Sequence, residues 1–326
     1  MPVPLFLEPV FQNKIWGGRK LAQEFNYQLP AGKIGECWAI SAHPHGPSKV
    51  MSGPYAGVYL NELWRSNPEL FGYPQEQVFP LLTKILDAEA NLSVQVHPDN
   101  AYALEHEGEL GKTECWYIIK ADPQACIIYG HNAQTQDQLT KMISQGDWQH
   151  LLKKLPVKTG DFVFVPSGTV HALNKGILAL ETQQSSDTTY RLYDYDRVDI
   201  QTGQKRQLHW RQSEETINVP FIAPQLQIET QKVQHSKIIS YVKPPLSPYF
   251  AVWGLEITDD CLSLEHQLGA YTLYSVIAGE GYLQVENQKY TLSLGSHFII
   301  PATITHWKIS GLKLHLIASE ATEPEQ

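Results

Sequence analysis

Short runs rich in β-branched and aromatic residues dominate the chain. Clear examples are residues 92–97, 114–119, 162–165 and 271–277, and each run is bounded by Gly, Pro, Asn or Asp. Runs of four to seven such residues between turn residues are typical of β-strands. Because most of these runs follow one another without an intervening helical pattern, the chain is predicted to be mainly β, as a sandwich or barrel.

Two segments have a helical pattern instead. Residues 136–155 carry apolar side chains at three- and four-residue spacing, which predicts an amphipathic helix. A shorter helix is predicted over residues 101–106. The prediction is therefore a β protein with a small helical insertion.

A motif that occurs twice points to the domain organisation. Gly160, Pro166 and His171 recur with the same spacing as Gly295, Pro301 and His306, and an apolar strand follows the glycine in each copy. This Gly-x5-Pro-x4-His pattern resembles the second conserved motif of the cupin superfamily. The first copy also has that motif's additional glycine, at position 168, where the second copy's equivalent position is Thr303.

The resemblance implies two cupin-like domains, each a jelly roll or double-stranded β-helix. We place a catalytic domain at residues 1–230 and a C-terminal cupin domain at 231–326, since prolines crowd the stretch 218–248. A length of 326 residues is compatible with two hydrophobic cores.

Composition narrows the possible partners. With 25 Lys and Arg against 34 Asp and Glu, the net charge is −9, and no long basic cluster is present, so nucleic acid is not an expected partner. An anionic ligand must then be held by a few local cations. The N-terminal segment is broken by prolines and Glu8, and no apolar run approaches the roughly 20 residues of a membrane span, so neither a signal sequence nor a membrane segment is expected. Four widely spaced cysteines suit reduced thiols and a cytoplasmic protein: Cys37, Cys115, Cys126 and Cys261.

Four side chains in the first domain form a candidate metal site. Gln95 and His97 are two residues apart on a predicted strand and so share a face, Glu114 opens the next strand, and His171 opens the strand after the first Gly-x5-Pro hairpin. These nitrogen and oxygen donors suit a divalent transition metal, although a strand histidine is more often an ordinary core or surface residue. His306 lacks comparable upstream partners, so the second domain is expected to be metal-free.

Successive segments are similar to those of type I mannose-6-phosphate isomerases. The similarity runs in order from about residue 10 to residue 200, through segments 15–18, 35–38, 42–44, 79–87, 92–98, 111–114 and 181–191. Membership implies a zinc-dependent aldose–ketose isomerase whose single zinc ion is bound by Gln95, His97, Glu114 and His171. The family's catalytic arginine falls on Arg191.

The chain departs from the longer family members and resembles their short bacterial form. It has only a small helical insertion between the cupin strands, and Leu192 and Tyr193 follow the arginine. Gly111 stands where longer members tend to have a histidine, so a proton-transfer role for that histidine does not carry over.

The implied reaction interconverts mannose 6-phosphate and fructose 6-phosphate through an enediolate that the metal stabilises. Lys84, Lys112 and Arg191 are candidate cations for the phosphate, with Ser93 as a neighbouring hydrogen-bonding group. Glu181, Asp187, Lys112 and a zinc-bound water remain alternatives for the base. No glycine motif of a dinucleotide-binding site or a P-loop is present, so no nucleotide is expected. The expected partner is a small phosphosugar. The sequence does not indicate an oligomeric state.

Two other functions use the same features. Two histidines and a glutamate also form the metal site of iron-dependent cupin oxygenases, although Gln95 as a fourth ligand argues against that class. A non-catalytic, sugar-binding double cupin is the second alternative. All five positions, the four candidate ligands and Arg191, are present, which favours an enzyme.

Overall fold

A computed structural model describes residues 2–199 and 202–322 of the chain. Residues 1 and 323–326, which the two predicted domains include, lie outside the described part, as do residues 200 and 201. Strands greatly outnumber helices, which confirms the predicted β class. The helices are α1 (Lys20–Phe25), α2 (Leu60–Ser66), α3 (Asn100–His106), α4 (Gln136–Ser144), α5 (Trp148–Leu151) and α6 (Trp210–Thr216), with 3-10 turns at Gly53–Tyr55 and Pro68–Phe71. Within the described ranges, no helix has the length and apolar character needed to cross a membrane.

Two sheets in the first part of the chain face each other and form what we call the first barrel. The strands of this part are β1 (Leu5–Glu8), β2 (Val10–Gly18), β3 (Ile34–Ile40), β4 (Lys49–Val50), β5 (Leu81–Ala88), β6 (Val94–Val96), β7 (Glu114–Ala121), β8 (Cys126–His131), β9 (Leu152–Pro156), β10 (Phe162–Val165), β11 (His171–Leu173), β12 (Ile177–Gln184) and β13 (Tyr190–Tyr193). One sheet has the order β10-β7-β12-β5-β3-β2 and the other β13-β6-β11-β8-β9. Apolar side chains from both sheets, among them Trp116 and Leu173, pack between them.

The second barrel is built from one ten-stranded sheet that curls around its own core. Most of its strands come from the second part of the chain: β14 (Glu229–Val233), β15 (Ser236–Val242), β16 (Phe250–Ile257), β17 (Cys261–Leu264), β18 (Thr272–Val285), β19 (Gln288–Leu292), β20 (His297–Ile300) and β21 (Trp307–Ala321). The N-terminal strand β1 joins this sheet by pairing with β20, and β4 joins it by pairing with β1. A boundary near residue 230 stays a prediction, since β14 spans that position and β1 comes from the other end of the chain.

A further core lies between the two barrels. It includes Leu81 and Phe164 from the first barrel and Phe250, Leu273 and Ile299 from the second, all nearly inaccessible to solvent. Burial of large apolar side chains from both barrels in one cluster is a strong stabilising contribution. The two barrels therefore share part of their hydrophobic core.

Most local predictions are confirmed. The strand predicted at 162–165 is β10, the strand at 114–119 lies within β7, and the short helix predicted at 101–106 is α3. The strand predicted at 92–97 is shorter, with β6 spanning Val94–Val96 and His97 following it directly.

The helix predicted over residues 136–155 is only partly correct. The structure has α4 over Gln136–Ser144, a second short helix α5, and then strand β9 over Leu152–Pro156. Gly146 adopts a left-handed φ of 64°, which a continuing helix cannot accommodate. The last residues pair instead with β8, so an available strand partner overrides the helical spacing.

The two copies of the repeated motif have similar backbones but different histidine environments. Gly160 and Gly295 both adopt left-handed conformations, with φ of 90° and 81°, and each leads into a buried four-residue strand. His171 is buried at the start of β11, whereas the side chain of His306 is 79% exposed. Only the first copy directs its histidine into a barrel.

Candidate active site

Four side chains meet inside one end of the first barrel. Gln95 lies directly across from His171 in the pairing of β6 with β11, so the two share a face of the sheet. His97 follows β6, and Glu114 begins β7 in the opposite sheet. The Nε2 atoms of His97 and His171 lie 3.4 Å and 3.3 Å from the two carboxylate oxygens of Glu114. The carboxamide of Gln95 lies 3.5 Å and 3.4 Å from the same two Nε2 atoms.

Backbone carbonyls set the tautomers of both histidines. Nδ1 of His97 lies 2.9 Å from the carbonyl oxygen of Thr188, and Nδ1 of His171 lies 2.8 Å from that of Thr169. Because a carbonyl only accepts, each Nδ1 carries the proton and each Nε2 presents its lone pair to Glu114. Burial, followed by the charge of Lys112, lowers the pKa of His97 to about 3, and burial also lowers the pKa of His171. Both imidazoles are therefore neutral, as metal ligands must be.

Glu114 is fully buried, and neither carboxylate oxygen receives a hydrogen bond from any residue that the structure describes. Burial alone would raise the pKa of this carboxyl group, but the charge of Lys112 holds it well below its usual range. An ionised, buried carboxylate that accepts no hydrogen bond is costly, and the ammonium of Lys112 lies near only one of its two oxygens, Oε2, so a further bound cation is favourable. Together with two neutral imidazole nitrogens and an amide, this donor set fits a divalent transition metal such as Zn2+.

Lys112 extends the cluster. Its ammonium lies 3.2 Å from Nε2 of His97 and 3.3 Å from Glu114, and the residue is only 5% exposed. Burial would lower the pKa of Lys112, but Glu114, followed by Glu181 and Asp187, raises it. Lys112, which the sequence analysis names as a candidate cation for the phosphate, therefore lies against Glu114.

Next to the cluster, a row of charged side chains crosses the six-stranded sheet. Glu181 on β12 pairs across to Lys84 on β5, and their charged groups are 3.6 Å apart. The indole of Trp116 donates a hydrogen bond of 2.9 Å to Glu181, and Lys84 also lies 3.9 Å from Glu36. Burial, followed by the charge of Glu114, raises the pKa of Glu181. The barrel interior therefore holds a buried polar layer at this end.

The other residues expected at the site lie around this layer. The hydroxyl of Ser93 lies 3.4 Å from the carboxamide oxygen of Gln95. Asp187 is half-buried, 3.1 Å from the imidazole of His45, and the charges of Lys84 and Lys14 help to lower its pKa against the effect of burial.

Arg191 is also on this face, since it pairs directly with Gln95 across β13 and β6. Its guanidinium donates a hydrogen bond of 2.9 Å to the carbonyl oxygen of Gln207 and not to any of the four candidate metal ligands. The structure thus places Arg191 in the same row of side chains as Gln95 and His171, without direct contact between its charge and Glu114.

Sequence reasoning missed several polar residues of the site. Glu36 partners Lys84, and His43 and Glu109 lie 3.5 Å apart beside the loop that carries Asp187. Glu36 and His43 occur in the segments 35–38 and 42–44 that resemble the isomerase family, which was an available signal. Nothing in the local sequence distinguishes Glu109, because its hydrogen-bond donors Ser186 and Thr188 are more than seventy residues away along the chain.

The chain is a cupin protein with a candidate metal site in its first barrel. Three features define this class: two facing sheets, the repeated hairpin motif and the buried group of His97, Glu114 and His171. Comparison with known proteins narrows this class. The model of the type I phosphomannose isomerase catalytic domain matches residues 5–120, and that of the mannose-6-phosphate isomerase cupin domain matches residues 238–321.

Relatives that align with nearly the whole chain are also mannose-6-phosphate isomerases. A mannose-6-phosphate isomerase from Streptococcus mutans is 53% identical over 99% of this chain and all of its own length. Mannose-6-phosphate isomerase ManA of Bacillus subtilis is 50% identical over 94% of this chain and 96% of its own. A crystal structure of a Bacillus subtilis mannose 6-phosphate isomerase superposes with a TM-score of 0.92 at 46% identity, covering 97% of this chain and 99% of that one. The chain belongs to the type I phosphomannose isomerase family.

Proposed function

We propose that this protein is a zinc-dependent isomerase that interconverts D-mannose 6-phosphate and D-fructose 6-phosphate. One observation carries the metal part of the proposal: the buried carboxylate of Glu114 lies 3.3 Å from the ammonium of Lys112 but accepts no hydrogen bond from the described residues, and it faces the lone pairs of two neutral histidines. The names of the full-length relatives support an isomerase that acts on mannose 6-phosphate. Gln95, His97, Glu114 and His171 would hold the zinc ion.

The metal suits the chemistry of the reaction. Isomerisation moves a proton between C2 and C1 of the open-chain sugar, and negative charge develops on the neighbouring oxygens. A bound zinc ion supplies Lewis-acid stabilisation of that charge without redox chemistry. The remaining tasks are to bind the phosphate, orient the sugar and move the proton, and these fall to side chains of the first barrel.

Three cations are available for the anionic parts of the substrate. Lys84 and Lys112 lie in the buried layer, where a low effective dielectric strengthens their interaction with negative charge. Arg191 offers a planar group that can bind phosphate or enediolate oxygens with two hydrogen bonds, and Ser93 adds a hydroxyl. We assign Arg191 a catalytic role and Lys84, Ser93, Lys112, Glu181 and Asp187 roles in substrate binding.

The two predicted domains have different roles in this proposal. Residues 1–230 carry the metal and substrate groups. Residues 231–326 form a metal-free cupin domain that supports the first barrel through the shared core. The exposed position of His306 favours this division, since its Nε2 lies at the surface, 3.8 Å from the exposed carboxylate of Glu265.

Metal content and activity test the proposal together. We expect the purified chain to contain about one zinc ion, and a chelator should abolish isomerisation of mannose 6-phosphate in a coupled assay, with recovery when zinc is restored. His171→Ala should lose bound zinc and activity, because it removes one imidazole ligand. His306→Ala, the equivalent residue of the second motif, is the matched control and should retain both.

Two results would contradict the proposal. Stoichiometric zinc in the His171→Ala variant would remove this histidine from the ligand set. Tightly bound iron together with oxygen consumption, and no isomerisation of mannose 6-phosphate, would instead assign the chain to the cupin oxygenases.

A further inference from the structure

Glu109 holds the loop that connects β12 to β13. This residue lies between α3 and β7, outside any strand. Its Oε2 atom accepts hydrogen bonds from the Ser186 hydroxyl at 3.1 Å, the Asp187 backbone N–H at 3.3 Å and the Thr188 hydroxyl at 3.0 Å. One carboxylate oxygen therefore gathers donors from three consecutive residues of the loop.

The same loop orients a candidate metal ligand. The carbonyl oxygen of Thr188 accepts the Nδ1 hydrogen bond of His97 at 2.9 Å. The position of this carbonyl sets the ring plane of His97 and hence the direction of its Nε2 lone pair. A displacement of residues 186–188 would therefore turn the imidazole away from Glu114.

The other oxygen of Glu109 faces His43, and the hydrogen bonds assign the tautomer of this histidine. The backbone N–H of His45 donates to Nδ1 of His43 at 3.2 Å, so Nδ1 must be unprotonated. The ring proton is then on Nε2, which lies 3.5 Å from Oε1 of Glu109. His43 is buried, and its ring packs edge-on against Trp38 in the barrel. Glu109 thus connects the loop to a buried histidine that packs against strand β3 of the six-stranded sheet.

We propose that Glu109 is a positioning residue for the metal site, and that it acts through Ser186 and Thr188 on the orientation of His97. This inference rests on the proposed function, because it requires that His97 binds the metal. The expected role is indirect, since the hydrogen bonds of Glu109 go to the loop and not to His97 itself. A residue needed only for general stability would have no selective effect on metal affinity.

The test measures zinc affinity of the full-length chain by competition with a chromogenic chelator. Glu109→Ala should weaken zinc binding by about 10- to 100-fold, the usual cost of losing an outer partner of a ligating histidine. Glu109→Gln should restore most of the affinity, because its amide oxygen can accept the same three hydrogen bonds. Glu105→Ala, which removes an exposed carboxylate in the adjacent helix α3, is the matched control and should bind zinc like the wild type.

A second variant keeps the test decisive if Glu109→Ala does not fold. Thr188→Val removes only the hydroxyl donor and keeps the backbone carbonyl that receives His97, and we expect about threefold weaker zinc binding. If folded Glu109→Ala or Thr188→Val binds zinc as tightly as the wild type does, the inference is overturned while the proposed function stands. A wild-type chain that binds no zinc would overturn the proposed function and this inference with it.

Discussion

At the scale of single residues, Arg191 combines the right location with an incompletely satisfied side chain. It pairs with Gln95 across two strands, and its buried Nε has no hydrogen-bond acceptor in the described part of the chain. Burial, followed by the charge of Arg206, lowers the pKa of Arg191 to about 10, so the guanidinium remains charged at neutral pH. A charged donor with a free N–H is suited to an anionic group of the substrate.

We predict that Arg191→Lys will lower kcat by about 100-fold or more while zinc content stays unchanged. Lysine keeps the positive charge but loses the planar pair of donors, and the loss of such a contact in a transition state has this magnitude. Steady-state kinetics and metal analysis of the same preparation provide the measurement. Arg211→Lys changes an exposed arginine paired with Glu215 and should leave kcat unaltered. Normal kcat in Arg191→Lys would rule out a role for the guanidinium geometry.

The residue scale also shows which parts of the site a sequence can reveal. Strand alternation and the repeated hairpin were enough to select Gln95, His97, Glu114 and His171 as candidate ligands, and the structure brings these four side chains together. Glu109 was not predictable, because its role depends on a loop that is distant in the sequence and adjacent only in the fold.

At the scale of elements, one carboxylate holds a loop of the second barrel to strand β21. Glu320 is fully buried, and it accepts hydrogen bonds from the backbone N–H groups of Gln267, Leu268 and Gly269 and from the hydroxyl of Thr272. A carboxylate is suited to this position because it only accepts. The connection between β17 and β18 is therefore attached to the core of the second barrel through one side chain.

We predict that Glu320→Gln will lower the free energy of unfolding by about 2–4 kcal/mol. The amide turns Oε1, which accepts from the hydroxyl of Thr272, into a donor, and it removes the negative charge that strengthens the hydrogen bonds from the three backbone N–H groups. Denaturant titration followed by circular dichroism measures the change. Glu256→Gln alters an exposed carboxylate on β16 that pairs with Lys237, so it should cost less than about 1 kcal/mol. An equally small effect in Glu320→Gln would show that the loop does not depend on this carboxylate.

The secondary-structure elements also show which features could not be predicted from the sequence. Short buried strands such as β10 were predictable from composition and turn residues alone. The segment after Gly146 was not, since its apolar spacing fits a helix and only the nearby edge of β8 makes residues 152–156 a strand. The pairing of β1 with β20 joins opposite ends of the chain, and no local pattern specifies such a contact.

At the scale of the whole molecule, a net charge of −9 is compatible with a phosphorylated substrate. Long-range attraction of an anion is not expected from such a surface, and screening by salt limits distant charges further. In the proposed function, buried Lys84 and Lys112, together with the metal ion, would place positive charge at the site itself. Recognition of the phosphosugar would then depend on local geometry inside the first barrel.

Because the two barrels share a core, we expect them to unfold as one cooperative unit, and this expectation is testable through the metal. Phe164 on β10 lies near Phe250 of the second barrel, with ring centroids 6.3 Å apart, and β10 pairs with β7, where Val165 lies opposite Glu114. Loss of the second barrel would remove the packing that supports this edge of the metal-type site. Unfolding of either barrel should then release the metal.

We predict that Phe298→Ala, a change in the core of the second barrel, will lower the temperature of zinc release as much as it lowers the temperature at which the β-structure melts. Phe298 is fully buried and stacks on Tyr274, so its truncation should cost about 3–5 kcal/mol. Zinc release to a coloured indicator and circular dichroism, recorded on the same heating ramp, should give coincident transitions in the wild type and in the variant. Leu312→Ala, at an exposed position of β21, should shift neither transition. If the variant lost part of its β-structure while zinc stayed bound, the barrels would be independent, because packing across the shared core would not be needed to hold the ligands in place.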